Sequence, residues 1–155
     1  MNAERFERVA TFKLAGRARE IFPLLCPVRE YEWLPGWSCE MAYSTSGVAE
    51  PDAVFHTRET LGMRVVWTLI THEPDHRVEY LLVSGRNAVV RLSIALSDSA
   101  AGSTEVTWRM LFTATSSLGR KVLRRSFSQQ GFHAMMEKRE AELNHFLSVG
   151  RMIGT

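Results

Sequence analysis

Apolar and polar residues alternate along much of the chain up to residue 115, with the period of two that is typical of strands with one buried face. The pattern predicts seven strands, over residues 7–14, 37–44, 53–59, 63–71, 77–83, 88–96 and 104–115. The predicted buried faces include Val9, Ala10, Phe12 and Leu14 in the first strand, and Trp37, Cys39, Met41 and Tyr43 in the second. The two faces of 77–83 cannot be separated, because both alternating sets of residues are apolar.

Helical spacing replaces the alternation in three places. Residues 17–25 are predicted to form a short amphipathic helix that stops near Pro27, and residues 28–34 a second short helix. Residues 118–149 are predicted to form one long helix, with serines before it as N-caps and Gly150 after it as a stop. At about 1.5 Å per residue, this helix would extend over more than about 40 Å and cross the whole domain.

Short connections separate the strands after residue 37. They predict an antiparallel meander, because parallel neighbours would need crossovers of a dozen or more residues. The expected fold class is α+β: a curved antiparallel sheet of about seven strands wrapped around a long C-terminal helix, with two short helices after the first strand. One helix, about 10 Å wide, cannot fill a strongly bent sheet, so large side chains or a ligand must occupy the remaining space.

Composition narrows the class of protein. The chain has 155 residues, of which 45% are hydrophobic and 23% charged, as in an ordinary globular protein, so residues 1–155 are expected to form a single domain. A net charge of +2 gives no reason to expect a nucleic-acid partner. No apolar run is long enough for stable membrane insertion, and the charged N-terminus is unlike a signal peptide. We therefore expect a cytoplasmic location, with Cys26 and Cys39 as free thiols.

The segment between the first two predicted strands carries a resemblance to a known family. The residues Phe22-Pro23-Leu24-Leu25-Cys26-Pro27-Val28-Arg29-Glu30-Tyr31-Glu32-Trp33-Leu34-Pro35-Gly36-Trp37 look like the helix-pair segment of a largely uncharacterised bacterial branch of the START-like, or SRPBCC, superfamily. This superfamily of helix-grip proteins includes pollen allergens, lipid-transfer domains and polyketide cyclases. The resemblance implies a hydrophobic pocket between sheet and helix. It does not supply a catalytic set, because catalytic residues differ from branch to branch.

Aromatic and methionine side chains are the main candidates for this pocket, because they offer large and adaptable apolar contact areas. Ordinary core packing is the alternative for any one of them, although as a group some are expected to line a cavity. The candidate ligand-binding residues are Trp33, Trp37, Met41, Phe55, Trp67, Tyr80, Trp108, Met110, Phe132, Met135 and Met136.

Ionisable residues offer weaker signals. Glu30 and Glu32 lie beside aromatic residues, so a buried one could act as an acid or a base, with Tyr80 as a further candidate; a solvated turn is the alternative. The cysteines and histidines lack the close spacing of metal ligands, so no metal or cofactor is expected. The basic cluster, which consists of Arg120, Lys121, Arg124 and Arg125, could attract an anionic group or simply form a solvated face.

Three functions are compatible with this pattern. The first is binding or carriage of a small hydrophobic ligand, such as a lipid or an aromatic metabolite. The second is a polyketide cyclase or aromatase-like enzyme, and the third a protein-interaction module. The catalytic residues stay unknown, and the lack of a recognisable catalytic constellation favours the first function. The sequence does not predict the oligomeric state.

Overall fold

One antiparallel sheet organises the protein in the computed structural model, which describes residues 4–59 and 62–155. The strands lie in the order β1-β7-β6-β5-β4-β3-β2. The predicted meander of six strands is confirmed in β2 to β7, and the predicted first strand, β1, is added at the edge beside β7. The strands are β1 (Glu4–Leu14), β2 (Glu40–Tyr43), β3 (Val54–Arg58), β4 (Arg64–Glu73), β5 (Arg77–Ser84), β6 (Ala88–Asp98) and β7 (Thr104–Ala114).

Burial follows the predicted alternation in the central strands. In β6 and β7 every second residue is buried, from Val90 to Leu96 and from Val106 to Phe112. In β5 the inner set is Val78, Tyr80 and Leu82, which settles the faces that the sequence left open. Register shifts in β2, between Met41 and Tyr43, and in β4, between Leu69 and Thr71, interrupt the ladders near one edge of the sheet. Such bulges bend and twist a sheet.

Two of the predicted inward residues are exposed instead. Val9 in β1 is 47% exposed and Tyr43 in β2 is 63% exposed. Val9 is out of phase with Phe12 and Leu14, so its side chain takes the outer face of the strand. The strand predicted over 37–44 is also shorter, because β2 begins only at Glu40.

The connection between β1 and β2 contains short helical turns, as predicted. Helix α1 (Ala18–Ile21) runs directly into a 3₁₀ turn over Phe22–Leu25, with Pro23 in its first turn, where a missing N–H costs nothing. The second predicted helix is a single 3₁₀ turn over Glu30–Glu32. These turns place apolar residues and the carboxyl group of Glu30 beside the concave face of the sheet.

The long C-terminal helix is divided, and the prediction of one unbroken helix over 118–149 is wrong. Helix α2 (Ser117–Ser126) ends before Phe127, and α3 (Gln129–Val149) starts after Ser128. The Ser128 hydroxyl accepts the Gly131 N–H at 3.1 Å and so caps α3. The Phe127 ring lies 4.6 Å from the Phe112 ring, which draws the junction onto the sheet. None of the helices in the two described ranges is long and apolar enough to cross a membrane.

The start of α2 packs against the turn between β5 and β6. A side chain on Gly119 would place its Cβ only 1.9 Å from the carbonyl oxygen of Asn87, so no larger residue fits there without a shift of backbone. Ser116 caps the helix by accepting the Gly119 N–H, and its hydroxyl lies 2.7 Å from Oδ1 of Asn87. Helix α2 therefore lies over one end of the concave sheet face, close to the turn.

Candidate functional site

A cavity of about 360 Å³ lies between the concave face of the sheet and the helices. The inner residues of β3 to β7 form its floor. Helices α2 and α3 contribute Val122, Leu123, Met135 and Arg139, and the loop before β2 contributes Leu25, Pro27 and Glu30 together with residues 34–38. The cavity therefore occupies the space that the width of one helix and the curvature of the sheet predict.

Seven of the eleven predicted ligand-binding residues line this cavity. They are Trp37, Phe55, Trp67, Tyr80, Trp108, Met110 and Met135. Their role in ligand binding stays a prediction.

The other four predicted residues are not among those that line the cavity. Trp33 is fully buried, and its indole N–H donates to the Leu24 carbonyl at 2.8 Å. Phe132 and Met136 are buried in the core, and Met41 is half-buried on the short strand β2. The positions of Trp33, Phe132 and Met136 match the alternative interpretation of ordinary core packing.

An aromatic cluster forms one wall of the cavity. The Trp67 ring stacks on Phe55 with 5.2 Å between centroids, and meets Tyr80 edge-on at 5.8 Å and Trp37 edge-on at 6.1 Å. Such edge-to-face and stacked pairs add stability beyond the area that they bury. This wall is thus a preformed apolar surface.

Most aromatic donors in the wall are already satisfied by the protein. Trp37 Nε1 donates to the Pro27 carbonyl at 2.8 Å, Trp67 Nε1 to Thr57 Oγ1 at 2.8 Å, and Tyr80 Oη to the Leu25 carbonyl at 3.0 Å. Trp108 differs, because its buried Nε1 has no hydrogen-bond partner within residues 4–59 and 62–155. An unpaired buried donor is costly, so it marks a place where a partner is missing.

Glu30 brings a carboxyl group to the same cavity. It sits on the 3₁₀ turn before β2 and is half-buried, and in the described part of the chain its side chain makes no hydrogen bond. Burial raises the pKa of Glu30 to about 8, while the positive charge of Arg139 opposes the shift. Glu30 therefore carries its proton at neutral pH and can donate it in a hydrogen bond. The pKa of Tyr80 is also raised, mainly by burial and to a smaller extent by its electrostatic interactions with Glu30 and Cys26, so Tyr80 stays a neutral phenol.

The raised pKa of Glu30 predicts a pH dependence of stability. Unfolding returns the carboxyl to its ordinary pKa of 4.5, so between about pH 4.5 and 8 the native state holds a proton that the unfolded chain releases. The free energy of unfolding should therefore fall as the pH rises through this window, by up to about 1.4 kcal/mol per pH unit from this group. Urea titrations of wild type and Glu30→Gln at several pH values measure it. The difference in stability between the two proteins should change across the window; a constant difference would contradict the raised pKa.

Arg139 is a charged residue of the cavity that the sequence interpretation missed. It lines the cavity from α3, and its Nη1 donates to Glu142 Oε2 at 2.8 Å. Glu142 is only 1% exposed, and its other oxygen lies 4.0 Å from Lys138 Nζ. The signal was present in the spacing, because Arg139 follows Met135 by one helical turn and so shares its face.

Glu32, the other predicted carboxylate, does not share the cavity. It is exposed and forms a bidentate ion pair with Arg29, with a shortest distance of 2.5 Å between Arg29 Nε and Glu32 Oε1. The two glutamates of the predicted pair therefore have different environments: Glu30 belongs to the cavity and Glu32 to the solvated turn.

The basic cluster on α2 is partly neutralised. Arg120 Nε and Arg124 Nη2 lie 2.9 Å and 2.5 Å from the two carboxylate oxygens of Glu4. This pairing ties α2 to strand β1 and favours a structural role for these two arginines. An anion-binding role for the cluster stays a prediction.

A second cavity of about 300 Å³ lies behind Tyr80. Leu25 and Tyr80 line both cavities, so these two side chains form the partition between them. Phe22, Val48, Val78 and the thiol of Cys26 contribute to its far side. Cys26 and Cys39 are free thiols, as predicted. Within residues 4–59 and 62–155, no three His, Cys, Asp or Glu side chains are grouped as a metal site requires.

Comparison with known proteins gives matches of fold. No family model and no curated protein matches the sequence. A truncated norcoclaurine synthase from Thalictrum flavum matches with a TM-score of 0.68 and 13% identity, over 96% of this chain and 96% of that one. An uncharacterised protein from Rhizobium leguminosarum matches with a TM-score of 0.66 and 14% identity, over 95% of this chain and 97% of that one. A protein in the dynemicin biosynthetic locus matches with a TM-score of 0.62 and 14% identity, over 94% of this chain and 48% of that one.

These matches show the fold of the chain. It is the helix-grip fold that the resemblance of the sequence implied. At such identities the likeness concerns the fold, and the use of the cavity must be argued from its own residues.

Proposed function

We propose that the chain binds or carries a small hydrophobic molecule in the cavity between the sheet and the helices. We also propose that it acts as one domain over residues 1–155 and that it is located in the cytoplasm. The observation that carries the proposal is a cavity of about 360 Å³ walled by aromatic and aliphatic side chains. Its volume lies in the range of small-molecule sites, and a largely apolar wall with few polar groups is typical of them. A lipid or an aromatic metabolite fits this chemistry.

A structure with the same fold supports the use of the cavity for aromatic molecules. Norcoclaurine synthase in complex with dopamine and hydroxybenzaldehyde matches this chain with a TM-score of 0.65 and 10% identity. Because the identity is low, no residue role is carried over to this chain. The complex nevertheless supports the proposal that this fold can bind small aromatic compounds.

Filling the cavity should abolish binding. Val90 lines the cavity from β6, whereas its neighbour Val89 is half-buried on the opposite face of the same strand. Val90→Trp adds an indole to the space that a ligand needs, so the affinity for a neutral apolar dye such as N-phenylnaphthylamine should fall at least about tenfold. Val89→Trp is the matched control and should bind within about twofold of wild type.

Fluorescence titration measures both affinities, and circular dichroism establishes that each variant folds. Native mass spectrometry of the purified wild type would also show any ligand retained from the cell. Equal affinity of the two tryptophan variants would place the dye elsewhere, and a wild type that binds neither dye nor any retained molecule would contradict the proposal.

An enzyme of the cyclase or aromatase type is the second candidate, and one observation favours it. Glu30 is a protonated carboxyl group inside the cavity, with a pKa of about 8. A group whose pKa lies near the working pH is suited to general acid or base catalysis. The two functions differ in their response to Glu30→Gln: an enzyme loses turnover while it still binds its ligand, whereas a carrier only changes its affinity. The interpretation as a protein-interaction module stays a prediction from the sequence.

A further inference from the structure

We propose that the cavity selects neutral apolar molecules that carry a hydrogen-bond-accepting oxygen, such as an aromatic ketone or quinone, and that the Glu30 carboxyl is the donor to that oxygen. This inference rests on the proposed function, because it names the class of ligand that the same cavity would take. It follows from which polar groups of the wall are already satisfied and which are not.

The satisfied groups of the aromatic wall leave no free N–H or O–H donor toward the ligand at Trp37, Trp67 or Tyr80. The N–H groups of Trp37 and Trp67 and the Tyr80 hydroxyl each donate to a protein oxygen within 3.0 Å. Thr57 in turn donates to Glu59 at 2.8 Å. A ligand that enters this part of the cavity therefore meets ring faces and edges, which recognise shape and apolar surface.

Two groups of the cavity lining are unsatisfied donors. Trp108 Nε1 is a donor only, and it is buried with no hydrogen-bond partner among the described residues. The Glu30 carboxyl lines the cavity without a hydrogen bond to any described residue, and at neutral pH it holds a proton. A ligand oxygen at Glu30 would satisfy a group that the protein itself leaves unpaired, and such pairing separates ligands more strongly than one more methylene group does.

Charges close to Glu30 disfavour both ionic alternatives at this place; Arg58 and Glu59 also line the cavity, but they are exposed at the end of β3. An anionic ligand at Glu30 would need an unpaired cation, but Arg139 already donates to the buried Glu142 carboxylate at 2.8 Å. A cationic amine would have to enter beside the Arg139 guanidinium, whose charge acts on Glu30 directly. Two other titratable groups interact with Glu30, namely the Tyr80 hydroxyl and the Cys39 thiol. Burial raises the pKa of both groups, so Tyr80 stays a neutral phenol. Cys26 interacts with both Tyr80 and Cys39. Glu30 is thus surrounded mainly by neutral groups and one compensated cation.

Benzophenone and diphenylmethane test the proposal, because they have two identical rings and differ at the central carbon, which carries an oxygen only in benzophenone. Wild type should bind benzophenone about tenfold more tightly than diphenylmethane at pH 6.5, as titration calorimetry or competition with the dye would measure. Glu30→Met, which removes the donor at similar size, should reduce this preference to within about twofold. Glu32→Met removes the neighbouring carboxylate outside the cavity and should keep the preference of wild type.

The pH dependence provides a readout that a merely structural role would not give. The preference of wild type for benzophenone should decline as the pH rises through about 8, because an ionised carboxylate cannot donate. Glu30→Gln keeps a donor that does not titrate, so it should retain the preference at both pH 6.5 and 9.5. This comparison of folded wild type and Glu30→Gln remains decisive if Glu30→Met does not fold.

The outcomes separate the two proposals. If wild type binds both compounds equally at pH 6.5, or if its preference does not change with pH, the donor role of Glu30 is overturned while the cavity remains a site for apolar ligands. If wild type binds neither compound, the proposed function fails together with this inference.

Discussion

Replacing Arg139 with methionine is expected to lower the free energy of unfolding by about 3 kcal/mol, because it leaves a buried carboxylate without its main partner. Arg139 donates to Glu142, which is 1% exposed. The second oxygen of Glu142 lies 4.0 Å from Lys138 Nζ and makes no hydrogen bond to any described residue. The same change removes the positive charge that opposes the shift at Glu30, so the pKa of Glu30 should rise above its value of about 8.

Urea denaturation at pH 7 measures the loss of stability, with two matched variants beside it. Lys138→Met removes the exposed neighbour in the same helix and should cost less than about 1 kcal/mol, as is usual for exposed pairs. The double variant Arg139→Met with Glu142→Leu replaces the whole buried pair by apolar side chains and should recover most of the stability. A single Arg139→Met variant as stable as Lys138→Met would contradict the account of the pair.

Replacing Trp33 with alanine is expected to cost about 3–5 kcal/mol, the usual loss when a large buried aromatic side chain is removed. Trp33 is fully buried, and its indole N–H donates to the Leu24 carbonyl. Its side chain therefore holds the 3₁₀ turn at Phe22–Leu25 against the loop that carries Glu30. The milder Trp33→Phe variant should be less stable than wild type but bind the apolar dye with similar affinity, because Trp33 does not line the cavity.

Thermal and urea unfolding measure the effect of the Trp33 variants. Val28→Ala, at a 39% exposed position in the same segment, is the control and should change stability by less than about 0.5 kcal/mol. A loss below about 1 kcal/mol for Trp33→Ala would mean that the ring is not part of the core. A loss of dye affinity in folded Trp33→Phe would return Trp33 to the list of binding residues.

Strands were the easiest elements to predict from the sequence, because each of them presents one face to the core. The alternation around Val90 and Trp108 identifies the inner face directly. The segment of β5 was ambiguous because Leu81 and Val83 on its outer face are as apolar as the inner residues. Its outer face is also protected, since Glu79 is 6% exposed and its carboxylate accepts hydrogen bonds from Thr71 and Arg91 of the neighbouring strands. Burial of a charged residue between strands is a tertiary effect that a local pattern does not contain.

The break between α2 and α3 was not predicted because the apolar stripe continues across it. Its local signal is weak, since Ser128 and Gly131 resemble an N-cap and first turn but also occur inside helices. The contact of Phe127 with Phe112 in β7 helps to fix the break, and that contact depends on where the sheet lies.

The site was partly predictable. Residue types identified the aromatic wall, but type alone could not assign a side to Met135 and Met136, which are neighbours on a helix and point in directions about 100° apart. Only Met135 lines the cavity, while Met136 is 3% exposed in the core. The sequence could not predict that Arg139 acts on Glu30, because this interaction joins the C-terminal helix to a turn near the start of the chain.

Tyr80 and Leu25 separate a cavity of about 360 Å³ from one of about 300 Å³. The Tyr80 hydroxyl donates to the backbone carbonyl of Leu25 at 3.0 Å, so the two partition residues are joined directly. A smaller residue at either position is expected to connect two volumes of similar size, with the loss of stability that truncation of a 3% exposed side chain brings. A single substitution at this partition would therefore change the length of molecule that the chain can enclose.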